Sequence, residues 1–430
     1  MKLKVSALIG LSFFIIFYTG FQGGRYFLAN RIQELGLLLS LGLFVYSALL
    51  SALQVRARDL RWNWWFFATL AFIAYTFFLP AWLFSQNANV PVLPSIMASR
   101  EFLIIFFAPA IYFLYRMGYD LLSIERIFTF ALVFLAFNYL FHFVRMDLVS
   151  AYFSTDPTIA GLVTFDPWRG YRLKPSSIAL FTLSVMALIK LFSSRGALKT
   201  MVWLLVVIVV GYIWFLVKAR SMAASLILAG LVYVLFFLRK QRLGMFFLSL
   251  PVMIMLVVTV TATVAGKLDN ASSEGDGVRL KSYSIALDSI AKHPFLGFGQ
   301  QSGYSKTEQD IFWYKFYSSD LGLIGTAFKY GLIGASLYIF FSVFIIQRLV
   351  RTIWLYRRVY GHNHALMVAI CVVFIALFIN ILLNPALVYI PGLTLAAFSI
   401  GLTSAWQHKM QQQLTQARHY PPLNSLQGTA

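Results

Sequence analysis

The 430-residue chain predicts an all-α, polytopic integral membrane protein of about twelve transmembrane helices, with a large outer loop that contains short amphipathic helices. Three observations carry that prediction. Apolar residues make up 60% of the chain and charged residues 12%, whereas a soluble domain is nearer half apolar and a quarter charged. The apolar residues also fall in runs close to the roughly 20 residues that a helix needs to cross a bilayer. Finally, the basic residues alternate between successive loops, which is the pattern that orients membrane proteins.

The runs lie at about 5–19, 35–53, 64–84, 98–115, 127–144, 176–192, 201–217, 221–238, 245–265, 322–347, 365–383 and 387–406. The first follows Lys2 and Lys4, and Thr19-Gly20-Phe21 stands where an A-x-A cleavage site would be, so it reads as a retained anchor. The run at 98–115 is short and is lengthened by the apolar stretch before it. With the N-terminus inside, nineteen of the 35 Lys and Arg but only three of the 15 Asp and Glu face inward. The formal charge of +20 is then mostly an orientation signal beside anionic lipid, not a nucleic-acid surface. Both termini are cytoplasmic in this reading.

One membrane domain, 1–430, is expected. It carries a first long outer segment at 145–175, a larger outer loop at 266–320 and a Gln-rich, solvated cytoplasmic tail at 407–430. Loops longer than about 12–15 residues are usually functional or disordered. The larger one opens with a flexible stretch, 269–277, and then places Leu280, Tyr283, Leu287 and Ile290 at helical spacing. That spacing predicts an amphipathic helix at the outer surface, stopped by Pro294 and followed by a turn at Gly297-Phe298-Gly299. A single cysteine, Cys371, excludes any disulfide within the chain.

Span interiors hold almost no ionisable groups: Lys190 is near an end, and Asn138 and Asn380 are neutral. An ion-coupled carrier usually needs such groups, so a transporter of polysaccharide or lipid-linked glycan is the alternative reading from another class. The outer cations are more informative. Arg169 and Arg172 precede a span, Lys218 and Arg220 share a tight outer turn, and Arg279 and Lys281 begin the surface helix. Guanidinium groups hold phosphate oxygens bidentately, so three cationic points at one face suit an anionic head group such as a diphosphate. Snorkelling to lipid phosphates is the competing explanation for any one of them.

Among the outer acids, Asp269, Glu274 and Asp276 lack the spacing of an EF-hand. Asp320 stands where the loop re-enters the membrane. There it serves either as an N-cap, a role also open to Ser318 and Ser319, or as a general base. His293 precedes Pro294 and could simply pack the turn, while His362-Asn-His364 lacks partners for a metal site. No nucleotide or redox fingerprint occurs, so no cofactor is expected.

The stretch 277–299, GVRLKSYSIALDSIAKHPFLGFG, resembles the signature of the O-antigen ligase/polymerase family: an Arg opening an amphipathic periplasmic helix, then a Pro and a G-x-G turn. The re-entry 319–334, SDLGLIGTAFKYGLIG, resembles the family's next element, which ends in a Gly-Leu-Ile-Gly step. Ala219-Arg220-Ser221 is similar to its short Ser-Arg-Gly-like turn, and Arg172, shortly before Pro175-Ser176, resembles an Arg that precedes a Pro-Asn pair. The resemblance implies a metal-independent GT-C type glycosyltransferase of the bacterial inner membrane, with a periplasmic active site. Its donor would be a glycan on undecaprenyl diphosphate, its acceptor a second glycan, and its neighbours membrane lipid and the flippase and chain-length regulator of the same pathway. On that basis Arg172, Arg279 and Asp320 are the expected catalytic groups, and Arg169, Lys218, Arg220, Lys281 and His293 the expected substrate-binding ones. Ligases of the family carry a His at the re-entry position, where this chain has Asp320, and an Asn next, which is missing here. That favours polymerisation of lipid-linked repeat units, with ligation to lipid A-core as the alternative.

Overall fold

The computed structural model describes residues 2–21, 32–54, 64–166, 170–217, 220–237, 274–300, 308–382 and 386–419. The chain runs α1 (Lys2–Gly20), α2 (Ile32–Gln54), α3 (Trp64–Ala88), α4 (Val92–Ala98), a 3-10 helix Ser99–Phe106, α5 (Phe107–Arg116), α6 (Leu121–Arg145), α7 (Leu148–Tyr152) and α8 (Pro157–Ala160). A hairpin of β1 (Val163–Asp166) and β2 (Gly170–Leu173) follows, then α9 (Ser177–Ser193), α10 (Ala197–Val217), α11 (Arg220–Phe237) and α12 (Glu274–Lys292). The remainder is α13 (Glu308–Ile311), a 3-10 turn Ser318–Leu321, α14 (Gly322–Tyr360), α15 (Ala365–Ile379), two 3-10 turns and α16 (Ile390–His419). This is a mostly helical membrane protein. Among the described residues Leu121–Arg145, Ala197–Val217 and Ser318–Tyr360 are long and apolar enough to cross a bilayer, and shorter apolar helices include Ser177–Ser193 and Ala365–Ile379. The run expected at 245–265 lies outside the described residues.

Helix starts follow local chemistry. Asp120 accepts the N–H groups of Leu122 and Ser123 at the head of α6. Asp147 does the same for Val149 in α7, and the Ser150 hydroxyl and that N–H hold its carboxyl below the usual range. The core is aromatic: Phe13, Phe17, Phe107, Phe128 and Phe398 bring α1, α5, α6 and α16 together, with the rings of Phe128 and Phe398 stacked at 4.1 Å.

Polar contacts sort by the two ends of the bundle. At one end Glu125 accepts from Trp406 Nε1 at 2.7 Å and lies 3.1 Å from His364 Nε2, and Arg348 donates to Thr403 and Ser404. At the other, the Tyr139 hydroxyl donates to the Leu173 carbonyl and the Tyr389 hydroxyl to that of Ser319. Each contact joins segments that the charge alternation assigns to the same side.

Three expectations change. The span at 98–115 is a 3-10 helix leading into α5, because Pro109 has no N–H to return to the preceding turn. The segment 145–175, expected without strands, folds as two short helices and an antiparallel hairpin in which Phe165 pairs with Tyr171 and Gly170 takes a φ of 73°. The helix α14 continues past 347 to Gly361, whose left-handed φ ends it. Beyond these changes, the Gln-rich tail continues α16 as a helix to His419. Gln407 donates to Thr352 and Tyr360 donates to Gln413, docking the tail on α14; residues 420–430 lie outside the described residues.

Candidate functional site

The re-entry is built around a broken helix. After Ser318–Leu321, Gly322 turns the chain at φ 58° and α14 begins; at Gly331 the backbone leaves helical geometry, with φ 68° and ψ −177°. A break of this kind strands backbone groups inside the protein, where each must find another partner. The segment after α12 supplies them. Leu332 N–H donates to the Pro294 carbonyl at 2.8 Å and Ile333 N–H to that of Phe295 at 3.3 Å. In return Phe298 N–H donates to Phe328 at 2.7 Å and Gly299 N–H to Lys329 at 3.0 Å. Pro80, inside α3, leaves its carbonyl to accept from Gln300 N–H at 3.1 Å, and Asn87 donates to the Phe298 carbonyl at 2.9 Å.

Only glycine fits this interlock. A side chain on Gly297 would strike the backbone of Gly331 and Lys329, and one on Gly331 would strike the Phe295 carbonyl. Tyr330, fully enclosed beside the break, gives its carbonyl to the Tyr75 hydroxyl and its own hydroxyl to the Gln300 side chain. Phe84, Phe298, Phe316 and Phe328 fill the space between α3, the interlock and α12.

The helix predicted from Leu280, Tyr283, Leu287 and Ile290 exists, and Tyr283 and Ile290 pack inward, but the two leucines do not. Ser282, Ala286 and Ser289 are buried, whereas Leu280 and Leu287 are 54% and 53% exposed. Small residues let α12 approach α14 closely, leaving the leucines to face away from the protein. The helix also begins at Glu274, inside the stretch expected to be flexible. Arg279 is therefore in its second turn and does not open it, so the helix N-terminus is not beside this residue; its side chain is outside the described residues.

The expected site residues whose side chains are described fall into two groups. Arg172, on β2, donates from Nη1 to the Val217 carbonyl at 3.1 Å, which sets it against the end of α10. Arg220 is the first residue of α11, with its side chain outside the described residues, as are Lys218 and Arg169 altogether. The second group surrounds the re-entry. Lys281 Nζ lies 4.3 Å above the Trp313 ring, and His293 meets Phe298 edge-on. The helix α15 packs against both α9 and α14.

Asp320 is exposed, and its N–H donates to the Tyr317 carbonyl at 3.1 Å. The capping expectation for Ser318, Ser319 and Asp320 is overturned: the residue before α14 is Leu321, and no side chain caps that helix. The positive φ of Gly322 turns the chain there, which separates the preceding turn from the first N–H groups of α14. Ser318 is held instead by Glu308, to which the sequence assigned no role. Glu308 is buried, accepts from Ser318 N–H at 3.1 Å and Ser318 Oγ at 2.8 Å, and pairs with Lys329 Nζ at 3.8 Å. The available signal was Lys329, a lone cation in an apolar re-entry run.

Residues 179–339 match the family described as O-antigen ligase, so this stretch is a domain of the O-antigen ligase/polymerase family. It encloses Lys218, Arg220, Arg279, Lys281, His293, Glu308 and Asp320, and begins just after Arg172. Comparison with curated proteins gives no match. The match and the apolar helices support a membrane enzyme of polysaccharide biosynthesis.

Proposed function

We propose that this membrane protein, with its O-antigen ligase domain at 179–339, polymerises undecaprenyl-diphosphate-linked repeat units at the periplasmic face of the bacterial inner membrane. The observation that carries the reading is Asp320: an exposed carboxylate with no helix to cap, on a turn tied down by its neighbours. In the proposed step the acceptor hydroxyl attacks the anomeric carbon of the donor glycan as its proton passes to Asp320. The carbon–oxygen bond to the diphosphate breaks, and undecaprenyl diphosphate leaves with the electron pair. Negative charge develops on that leaving group, where Arg172 and Arg279 stabilise it with fixed guanidinium donors. Arg220, Lys218 and Arg169 add positive potential on the same side, and Lys281 and His293 line the approach to the re-entry. No metal or cofactor enters this scheme. The description of the matched family favours a second reading, transfer of the finished glycan to lipid A-core; the product separates the two.

Asp320→Asn tests the base. Asn is nearly isosteric but takes no proton at this position, and because Asp320 makes no cap the substitution leaves α14 intact. General-base assistance contributes about 10²–10⁴-fold, so transfer is expected to fall at least ~100-fold while donor binding and membrane insertion stay unchanged. An Asn variant that transfers at the normal rate moves the proton acceptor to another group.

A further inference from the structure

We propose that Glu308 is a positioning residue for glycan transfer: from beneath the Ser318–Leu321 turn it fixes the backbone that carries Asp320. The proposal rests on the reading of Asp320 as the base. Three consecutive residues of the turn are tied down, two of them from other parts of the chain and the third by the turn's own hydrogen bond. Ser318 gives both its N–H and its hydroxyl to the Glu308 carboxylate. The Ser319 carbonyl accepts from the Tyr389 hydroxyl at 3.3 Å, and the Asp320 N–H closes on Tyr317. The Ser318 carbonyl also sits directly on Gly325, where any side chain would collide with it. What this leaves to solvent is the Asp320 side chain.

Packing alone does not explain a carboxylate here. A buried charge is costly unless paired, and an apolar residue of similar volume often fills such a place as well or better. The charge of Glu308 is used on both sides. One oxygen takes the Ser318 N–H; the other takes the Ser318 hydroxyl and faces Lys329. Lys329 lies just before the break, and its own carbonyl receives Gly299 N–H. Glu308 therefore couples the turn to the broken helix and, through it, to the segment that follows α12, the helix bearing Arg279. A 1 Å misplacement of a reacting group can cost about 10²-fold in rate, and removal of this tie permits a shift of that size.

The test uses the full-length protein in proteoliposomes, with a purified lipid-diphosphate-linked oligosaccharide repeat unit serving as both donor and acceptor. Glu308→Gln keeps the shape but loses the charge that faces Lys329 and one acceptor oxygen. Its kcat is expected to fall about 10- to 100-fold, with the donor KM and the amount of inserted protein within about twofold. Because Glu308 acts through Asp320, the two substitutions should not multiply: Glu308→Gln combined with Asp320→Asn is expected to be no slower than Asp320→Asn alone. Ser318→Ala, a milder change that keeps the N–H bond, should lower kcat in the same direction by roughly 3- to 10-fold.

A Glu308→Gln protein that transfers at the wild-type rate overturns the proposal, and so does a double variant whose losses multiply. If Glu308→Gln fails to insert, Ser318→Ala decides: normal kcat overturns the proposal and a reduced kcat with normal KM upholds it. Wild-type protein that transfers nothing would instead overturn the transferase reading, and the proposal with it. Transfer by wild type and by Glu308→Gln, but not by Asp320→Asn, would remove the proposal and leave that reading standing.

Discussion

Arg279→Ala is expected to abolish long-chain glycan in cells that accumulate a normal amount of the inserted protein. Removing one preorganised donor to developing negative charge typically costs about 10²–10³-fold, and a diphosphate leaving group concentrates its charge on a few oxygens. The residue lies in the second turn of α12, a helix that packs against α14 and buries Ser282, Ala286 and Ser289. Its backbone is therefore positioned by packing that the substitution leaves untouched. Since the helix starts at Glu274 and Arg279 lies in its second turn, the effect rests on the guanidinium. Arg279→Lys should accordingly recover little, because an ammonium does not reproduce a two-pronged contact. Gel electrophoresis of surface glycan in a complemented deletion strain reads both variants. Near-normal chain length in the Ala variant would remove Arg279 from the site.

The second large effect is structural. Gly331→Ala should prevent the interlock from closing, with loss of both folded protein and transfer. Residue 331 must hold φ 68°, a conformation that costs a non-glycine residue about 1–3 kcal/mol. The new methyl group would also meet the Phe295 carbonyl and the Leu296 nitrogen, both backbone. Relieving that collision separates the broken helix from the 294–299 segment and gives up the four exchanged hydrogen bonds, each worth roughly 0.5–1.5 kcal/mol. The total is of order 4 kcal/mol or more, a large part of a typical folding free energy. Gly211→Ala is the control: this glycine lies in α10 with nothing within 4 Å of an added methyl, and alanine is the better helix former. Thermal unfolding of the two purified variants in detergent should show a large drop for Gly331→Ala and no loss for Gly211→Ala. Equal stability would mean that the break is not needed.

What could be read from sequence follows from how each feature is encoded. Apolar runs at 127–144, 201–217 and 322–347 are local signals, and helices stand at all three. Charge alternation assigned loops to sides, and the contacts of Tyr139, Tyr389, Glu125 and Arg348 agree with that assignment. Helix ends were less legible, because hydropathy stops at the membrane whereas α14 and α16 continue in polar sequence. The Gly-Leu-Ile-Gly step was recognised as a motif, but its physical reason was hidden. Gly331 breaks the helix only because the Pro294–Gly299 segment supplies substitute partners from thirty-odd residues away. Glu308 was invisible for a related reason. A four-residue helix has no periodicity to detect, and burial of its carboxylate depends on Ser318 and Lys329 arriving from elsewhere. Capping by Asp320 was a sound local inference that Gly322 defeats by turning the chain first.

The central claim is that this chain moves glycan from a lipid diphosphate onto another lipid-linked glycan. The most direct measurement supplies purified wild-type protein in liposomes with undecaprenyl-diphosphate-linked repeat units as the sole substrate, and resolves the products by mass. A ladder of two, three and more repeats on the lipid is expected, with one undecaprenyl diphosphate released for every bond formed and no ladder from Arg279→Ala. Unchanged substrate, or a product that forms only when lipid A-core is added, would contradict the account.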